Sequence, residues 1–179
     1  MNLNRRQTLE SFANGPTVLD AALRRFPRMM WMYRASPAGA TIHGIIWELA
    51  EHEVVEYTYS RCFIARPHAS IVGIDSSAWP NRLGYFYQNI RDAMGIIRAL
   101  RRATRRFLET LPEIAWTYVA DLPIHGQRSL DEWLEIRESY FPAQIQRMAD
   151  IHAAWLDATS SARIVTSVRK KVFLEPSVR

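Results

Sequence analysis

Two side chains able to exchange protons or hold a cation, Glu48 and His52, lie four residues apart in the stretch Thr41-Ile-His-Gly-Ile-Ile-Trp-Glu-Leu-Ala-Glu-His-Glu, which runs on to Phe63 and Ile64. Residues four apart on a helix share a face. Ile45, Leu49, Tyr59 and Phe63 fall near that same face. The spacing therefore points a carboxylate and an imidazole toward the interior, where a metal or an acid–base site would sit. The other histidines, His43, His68, His125 and His152, show no ligand spacing with one another. The single cysteine, Cys62, excludes an intramolecular disulfide framework and reads as a small buried apolar residue. There is no glycine-rich phosphate loop and no Gly-x-Ser-x-Gly elbow.

A second feature with chemical potential is a run of arginines, Arg98, Arg101, Arg102 and Arg105. Guanidinium groups suit phosphate or an anionic thiol cofactor, and a row of them can track a nucleic-acid backbone. The ordinary reading is a solvated helix face, some of it paired with Asp or Glu. No helix-turn-helix or RNA-binding signature accompanies the run, so a nucleic-acid partner is not expected.

The elements that position these residues follow from periodicity. Leu9, Phe12, Leu19, Leu23 and Phe26 place a first helix over 6–26, with an interruption expected at Gly15-Pro16. Thr41 is an N-cap for a second helix over 41–64 that Arg66-Pro67 ends. Residues 67–83 read as a long loop that Trp79 is placed to anchor. Ile90, Met94, Ile97, Ala103, Thr104, Phe107 and Leu111 form the seam of a third helix over 84–111. The segment 113–128, with Pro123 and Gly126, reads as irregular. Ser129-Leu-Asp-Glu132 is a capping box that opens a fourth helix running to about Asp157, with Pro142 inside it. Beyond Thr159 the β-branched residues of 163–175 suggest an extended arm or disorder.

Of the 179 residues, 48% are hydrophobic and 23% charged, which suits one globular domain with a proper core. Few glycines and little alternation before the tail favour an all-α fold, with a domain over 1–158 and a tail over 159–179. The formal net charge of +5 favours anionic ligands without establishing nucleic-acid binding. No run is long enough to span a bilayer, and no apolar segment follows the start, so a cytoplasmic protein with no membrane association is expected.

The motifs taken together resemble a known family. Ile42-His-Gly-Ile-Ile-Trp-Glu-Leu-Ala-Glu51 resembles the second-helix motif of the DinB-like (damage-inducible) four-helix bundle superfamily. Ser129-Leu-Asp-Glu-Trp-Leu-Glu-Ile and Tyr140-Phe-Pro-Ala-Gln-Ile resemble its last helix, and Asp75 to Trp79, Leu100-Arg-Arg-Ala-Thr and Leu111-Pro-Glu-Ile-Ala-Trp116 are similar to segments between. The resemblance implies a four-helix bundle with long connections, often a homodimer, with a divalent transition metal held by three histidines. It also implies thiol-dependent transfer or isomerisation. Carried over by position, the three histidines fall on Glu48, Tyr140 and Gln144. None is a histidine. A protonated phenol and a neutral amide are poor partners for zinc or nickel. The expectation is a degenerate site without a cofactor, in which Glu48, Tyr140 and Gln144 form a hydrogen-bonded polar cluster with His52 and Arg137 nearby. The bundle then binds a small molecule or serves a structural role. The alternative is a metal-dependent thiol transferase or hydrolase with an altered ligand set, using zinc or nickel.

Overall fold

The computed structural model describes residues 3–174. Four long helices build the bundle: α1 (Leu3–Leu23), α2 (Ile42–Ala65), α4 (Ile90–Glu109) and α5 (Leu130–Leu174), with a single-turn α3 (Trp79–Arg82) between α2 and α4. The strongest helix pairings are α2 on α4 and α1 on α5, and α1–α4 and α2–α5 contacts close the square. The four-helix expectation holds.

Local chemistry sets the helix starts. The Thr41 hydroxyl accepts from the Gly44 amide at 2.9 Å, satisfying one of the orphan donors of α2. At α5 the capping box closes both ways. The Ser129 amide donates to the Glu132 carboxylate at 2.7 Å, and the Glu132 amide donates to Ser129 Oγ at 3.3 Å. The third helix begins later than expected, at Ile90, because Asn89 caps it by accepting from the Arg91 amide. Residues 85–87 form a 3-10 turn before it.

Three expectations are corrected. The segment 113–128 is not irregular. It carries an antiparallel hairpin, β1 (Val119–Leu122) and β2 (Gly126–Ser129), with Val119 opposite Ser129 and Leu122 opposite Gly126. The 67–83 loop lies partly along β1, where the Ile71 amide donates to Asp121 O and the Asp121 amide donates to Ala69 O. The fourth helix does not end near Asp157. The α5 backbone stays helical to Leu174, and 175–179 lies outside the described residues.

Gly15-Pro16 does more than interrupt a pattern. The helix continues through Pro16. Proline has no amide proton, so the carbonyl four residues back, on Phe12, lacks its helical donor. Arg101 of α4 supplies one, its Nη1 donating to Phe12 O at 2.7 Å. A Cβ on Gly15 would lie 2.6 Å from that same Nη1 and 3.0 Å from Phe141 Cδ2. The pair therefore makes room for a guanidinium and gives it an acceptor. Arg101 is 1% exposed. It is not part of the solvated arginine face that helical periodicity alone suggested.

Two apolar clusters fill the interior. One gathers Leu19, Ile45, Ile46, Ala93, Ile97, Phe141 and Met148, and the other Leu9, Phe12, Phe63, Trp116, Leu130 and Trp133. Among the described residues no helix is long and apolar enough to cross a membrane.

Candidate functional site

Side by side, α2 and α5 frame a cavity of about 610 Å³, roofed by the 73–80 loop and the hairpin turn. That volume lies in the range of small-molecule sites. Glu48, His52 and Glu56 reach it from α2, and Arg137 and Tyr140 from α5. Of the residues that the sequence singled out, Glu48, His52, Arg137 and Tyr140 thus line one cavity. Tyr59, Trp79, Tyr85 and Trp133 supply aromatic wall, and His125 comes from the hairpin turn. The turn includes Ile124 at φ 73°, a left-handed backbone uncommon for a β-branched residue. The approach of His125 to the cavity was not legible from spacing.

The carboxylate that α2 buries is Glu53, not Glu48. Glu53 is 2% exposed, and its Oε1 accepts from Arg101 Nε at 2.9 Å and Arg137 Nη2 at 2.8 Å. Both arginines are buried, and the Arg101 guanidinium packs on the Phe12 and Phe141 rings. Arg137 therefore serves Glu53, with Glu56 Oε2 a further 3.9 Å from its Nε. Burial pushes the Arg101 pKa down to about 10 against the opposing pull of Glu53.

Glu48, Tyr140 and Gln144 are brought together, but not as a directly bonded triad. Arg147, one turn beyond Gln144, joins two of them. Its Nη1 donates to Gln144 Oε1 at 2.6 Å and lies 3.6 Å from Glu48 Oε2. Burial raises the Glu48 pKa, opposed by the Arg147 charge. Tyr140 bonds to neither; its ring packs on His52 at 4.4 Å between centroids. Gln144 is buried but does not line the cavity. The role of Arg147 was missed, although its place three residues after Gln144 puts it on the same helix face.

His52 is held neutral. Its pKa is pushed down to about 3, by burial first and then by the charges of Arg137 and Arg101 and by His125. Glu56 lies 3.7 Å from His52 Nε2 and accepts from the Trp133 indole at 2.6 Å.

The three positions that the resemblance assigns to metal ligands hold a carboxylate, a phenol and an amide in place of imidazoles. One carboxylate faces a guanidinium, the amide oxygen is already engaged, and burial raises the Tyr140 phenol pKa further from the anionic form a metal prefers. Among the described residues no group of three or more His, Cys, Asp or Glu is arranged to hold an ion.

The remaining expected anion-binding arginines part company. Arg98 pairs with Asp20 and Arg105 with Glu109, while Arg102 borders a small surface groove with both.

No protein-family model matches the chain, and no curated protein matches it. Among solved structures it is similar to one described as "YfiT from Bacillus subtilis is a probable metal-dependent hydrolase with an unusual four-helix bundle topology". The TM-score is 0.76 at 13% identity, over 84% of this chain and 87% of that one. At that identity the likeness shows a shared four-helix bundle fold.

Proposed function

We propose that this chain is a DinB-like bundle whose metal site is degenerate and which binds a small molecule in the α2–α5 cavity without a metal. The observation that carries the reading is Arg147. Its guanidinium lies between Glu48 and Gln144, two of the three positions that the resemblance assigns to metal ligands. A cation of the chain itself there supplies the positive charge that an ion would otherwise bring. The adjoining cavity keeps a ligand-sized volume and a mixed aromatic and polar wall.

A thermal-shift screen of tag-free protein tests this. Ligands that stabilise the wild type without added metal are expected, and Ser76→Trp, at the exposed rim of the cavity, should abolish their effect. The alternative, a metal-dependent thiol transferase or hydrolase with an altered ligand set, is favoured by the description of the neighbour as a probable metal-dependent hydrolase. Stabilisation by zinc or nickel alone would support it.

The reading includes a homodimer. Phe86 and Tyr87 are 61% and 88% exposed before α4, and Val54 is exposed on α2. Burial of such apolar surface against a second copy is favourable. Sedimentation showing only monomer at micromolar concentration would remove this part.

A further inference from the structure

A second concavity, of about 700 Å³, lies at the N-terminal end of α4 and shares no lining residue with the first. Four arginines surround it: Arg24 just past α1, Arg28 in the 3-10 turn that follows, and Arg91 and Arg98 on α4. One carboxylate, Asp20, lines it with them, and Arg98 takes that carboxylate. Arg24, Arg28 and Arg91 have no carboxylate partner among the described residues. The positive end of the 20-residue α4 dipole adds to the same field.

The floor is apolar, made by Leu23, Phe26 and Met94. Trp31 stands at its side, its indole N–H fixed to Phe26 O at 3.1 Å and its ring 5.0 Å from the Arg28 guanidinium. Unpaired guanidiniums converging from separate elements on a concave site are the chemistry of phosphoryl recognition. A ring on a held indole and an apolar floor are the chemistry of a hydrophobic or planar body.

We propose that this cleft binds a small phosphorylated molecule, its phosphoryl groups among Arg24, Arg28 and Arg91 and its planar or apolar body against Trp31. The cations ring a concavity rather than forming a line along a convex face, which favours a small ligand over a nucleic-acid backbone. The site is independent of the α2–α5 cavity and of whatever occupies it.

Calorimetry with ADP and with inorganic pyrophosphate as probes tests the proposal on the full chain. ADP is expected to bind more tightly than pyrophosphate, and more weakly as salt rises. The double variant Arg24→Gln, Arg91→Gln should weaken ADP by roughly tenfold or more, since it removes two charge-assisted contacts. Arg6→Gln, on the exposed face of α1 beside Glu10, should leave binding unchanged. In the wild type the Trp31 indole N–H resonance should shift on adding ADP while that of Trp133, in the other core cluster, stays in place. That readout needs no substitution and so does not depend on a variant folding. Absence of ADP binding, unchanged affinity in the double variant, or a still Trp31 resonance would overturn the site. Equal affinity for pyrophosphate would overturn the role of the body. Tighter binding of a short DNA duplex than of ADP would replace the small ligand with nucleic acid.

Discussion

Glu53 and Glu48 sit five residues apart on one helix and behave as opposites. Glu53 is closed off from water and held by two arginines that are themselves buried, at 2.8 and 2.9 Å. Glu48 is partly open to solvent, 3.6 Å from an arginine whose side chain is 48% exposed. In the first case the ion pairs lie in low dielectric, where losing one member strands the others. In the second, water screens the pair and its loss costs little. A carboxylate inside a bundle is thus not by itself a functional group. The one that can change partner is the one still reached by solvent.

The largest effect separating the two regions is expected at Glu53. Glu53→Gln leaves Arg101 and Arg137 buried without their shared counter-charge and should lower unfolding free energy by about 3–5 kcal/mol. Urea denaturation at neutral pH measures it, and a loss below about 1 kcal/mol, the scale of an exposed pair, would erase the contrast.

Next in size is the gain from restoring metal ligands at the open end. Tyr140 and Gln144 keep the four-residue spacing two helix-borne histidines need, and Glu48 faces them from α2. Glu48→His, Tyr140→His, Gln144→His also removes both acceptors that Arg147 faces. Added zinc or nickel should then raise the melting temperature, with about 2.7 kcal/mol gained once free metal is 100-fold above its dissociation constant. No shift would mean that Glu48, Tyr140 and Gln144 are not the positions that correspond to the three metal ligands.

His52 sharpens the comparison through pH. The unfolded chain takes up a proton there below its ordinary pKa of 6.5, whereas the folded protein resists until about 3. The unfolded state then binds more protons across that window, so His52 makes stability fall as pH drops from 6.5 toward 3. Glu48 acts with the opposite sign. Its raised pKa lets the folded state keep a proton above 4.5, a contribution lost as pH rises through the folded value. His52→Gln should flatten the fall in urea midpoint between those limits. An unchanged pH profile would contradict a half-buried imidazole that resists protonation in the folded protein.

The smallest effect is expected for Glu48→Gln, below about 1 kcal/mol, since the amide keeps the shape and Arg147 is exposed enough to find water. A large loss at neutral pH would show that the charge itself is required.

The bundle was legible because its signals are local. Thr41 and Ser129 carry their caps in the next three residues, and the heptad-like apolar seams need no knowledge of partners. The position of the cavity was legible for the same reason, as Glu48, His52 and Tyr140 lie where helix spacing places them. Arg101 was not. Its period matches that of Arg98 and Arg105, and it is drawn inward by Glu53 on α2 and, on α1, by the Phe12 carbonyl and the space above Gly15. The hairpin was missed because each strand has four residues, too short for alternation to register. Arg147 was not legible because a guanidinium is no metal ligand, and only the packing of α5 beside α2 brings it to Glu48.

Elemental analysis of the wild-type protein, purified without an affinity tag and without chelator, tests the central claim most directly. The reading in which Arg147 supplies the positive charge at Glu48 and Gln144 predicts far less than one transition metal per chain. Stoichiometric zinc, nickel or iron would contradict it and return the site to metal chemistry.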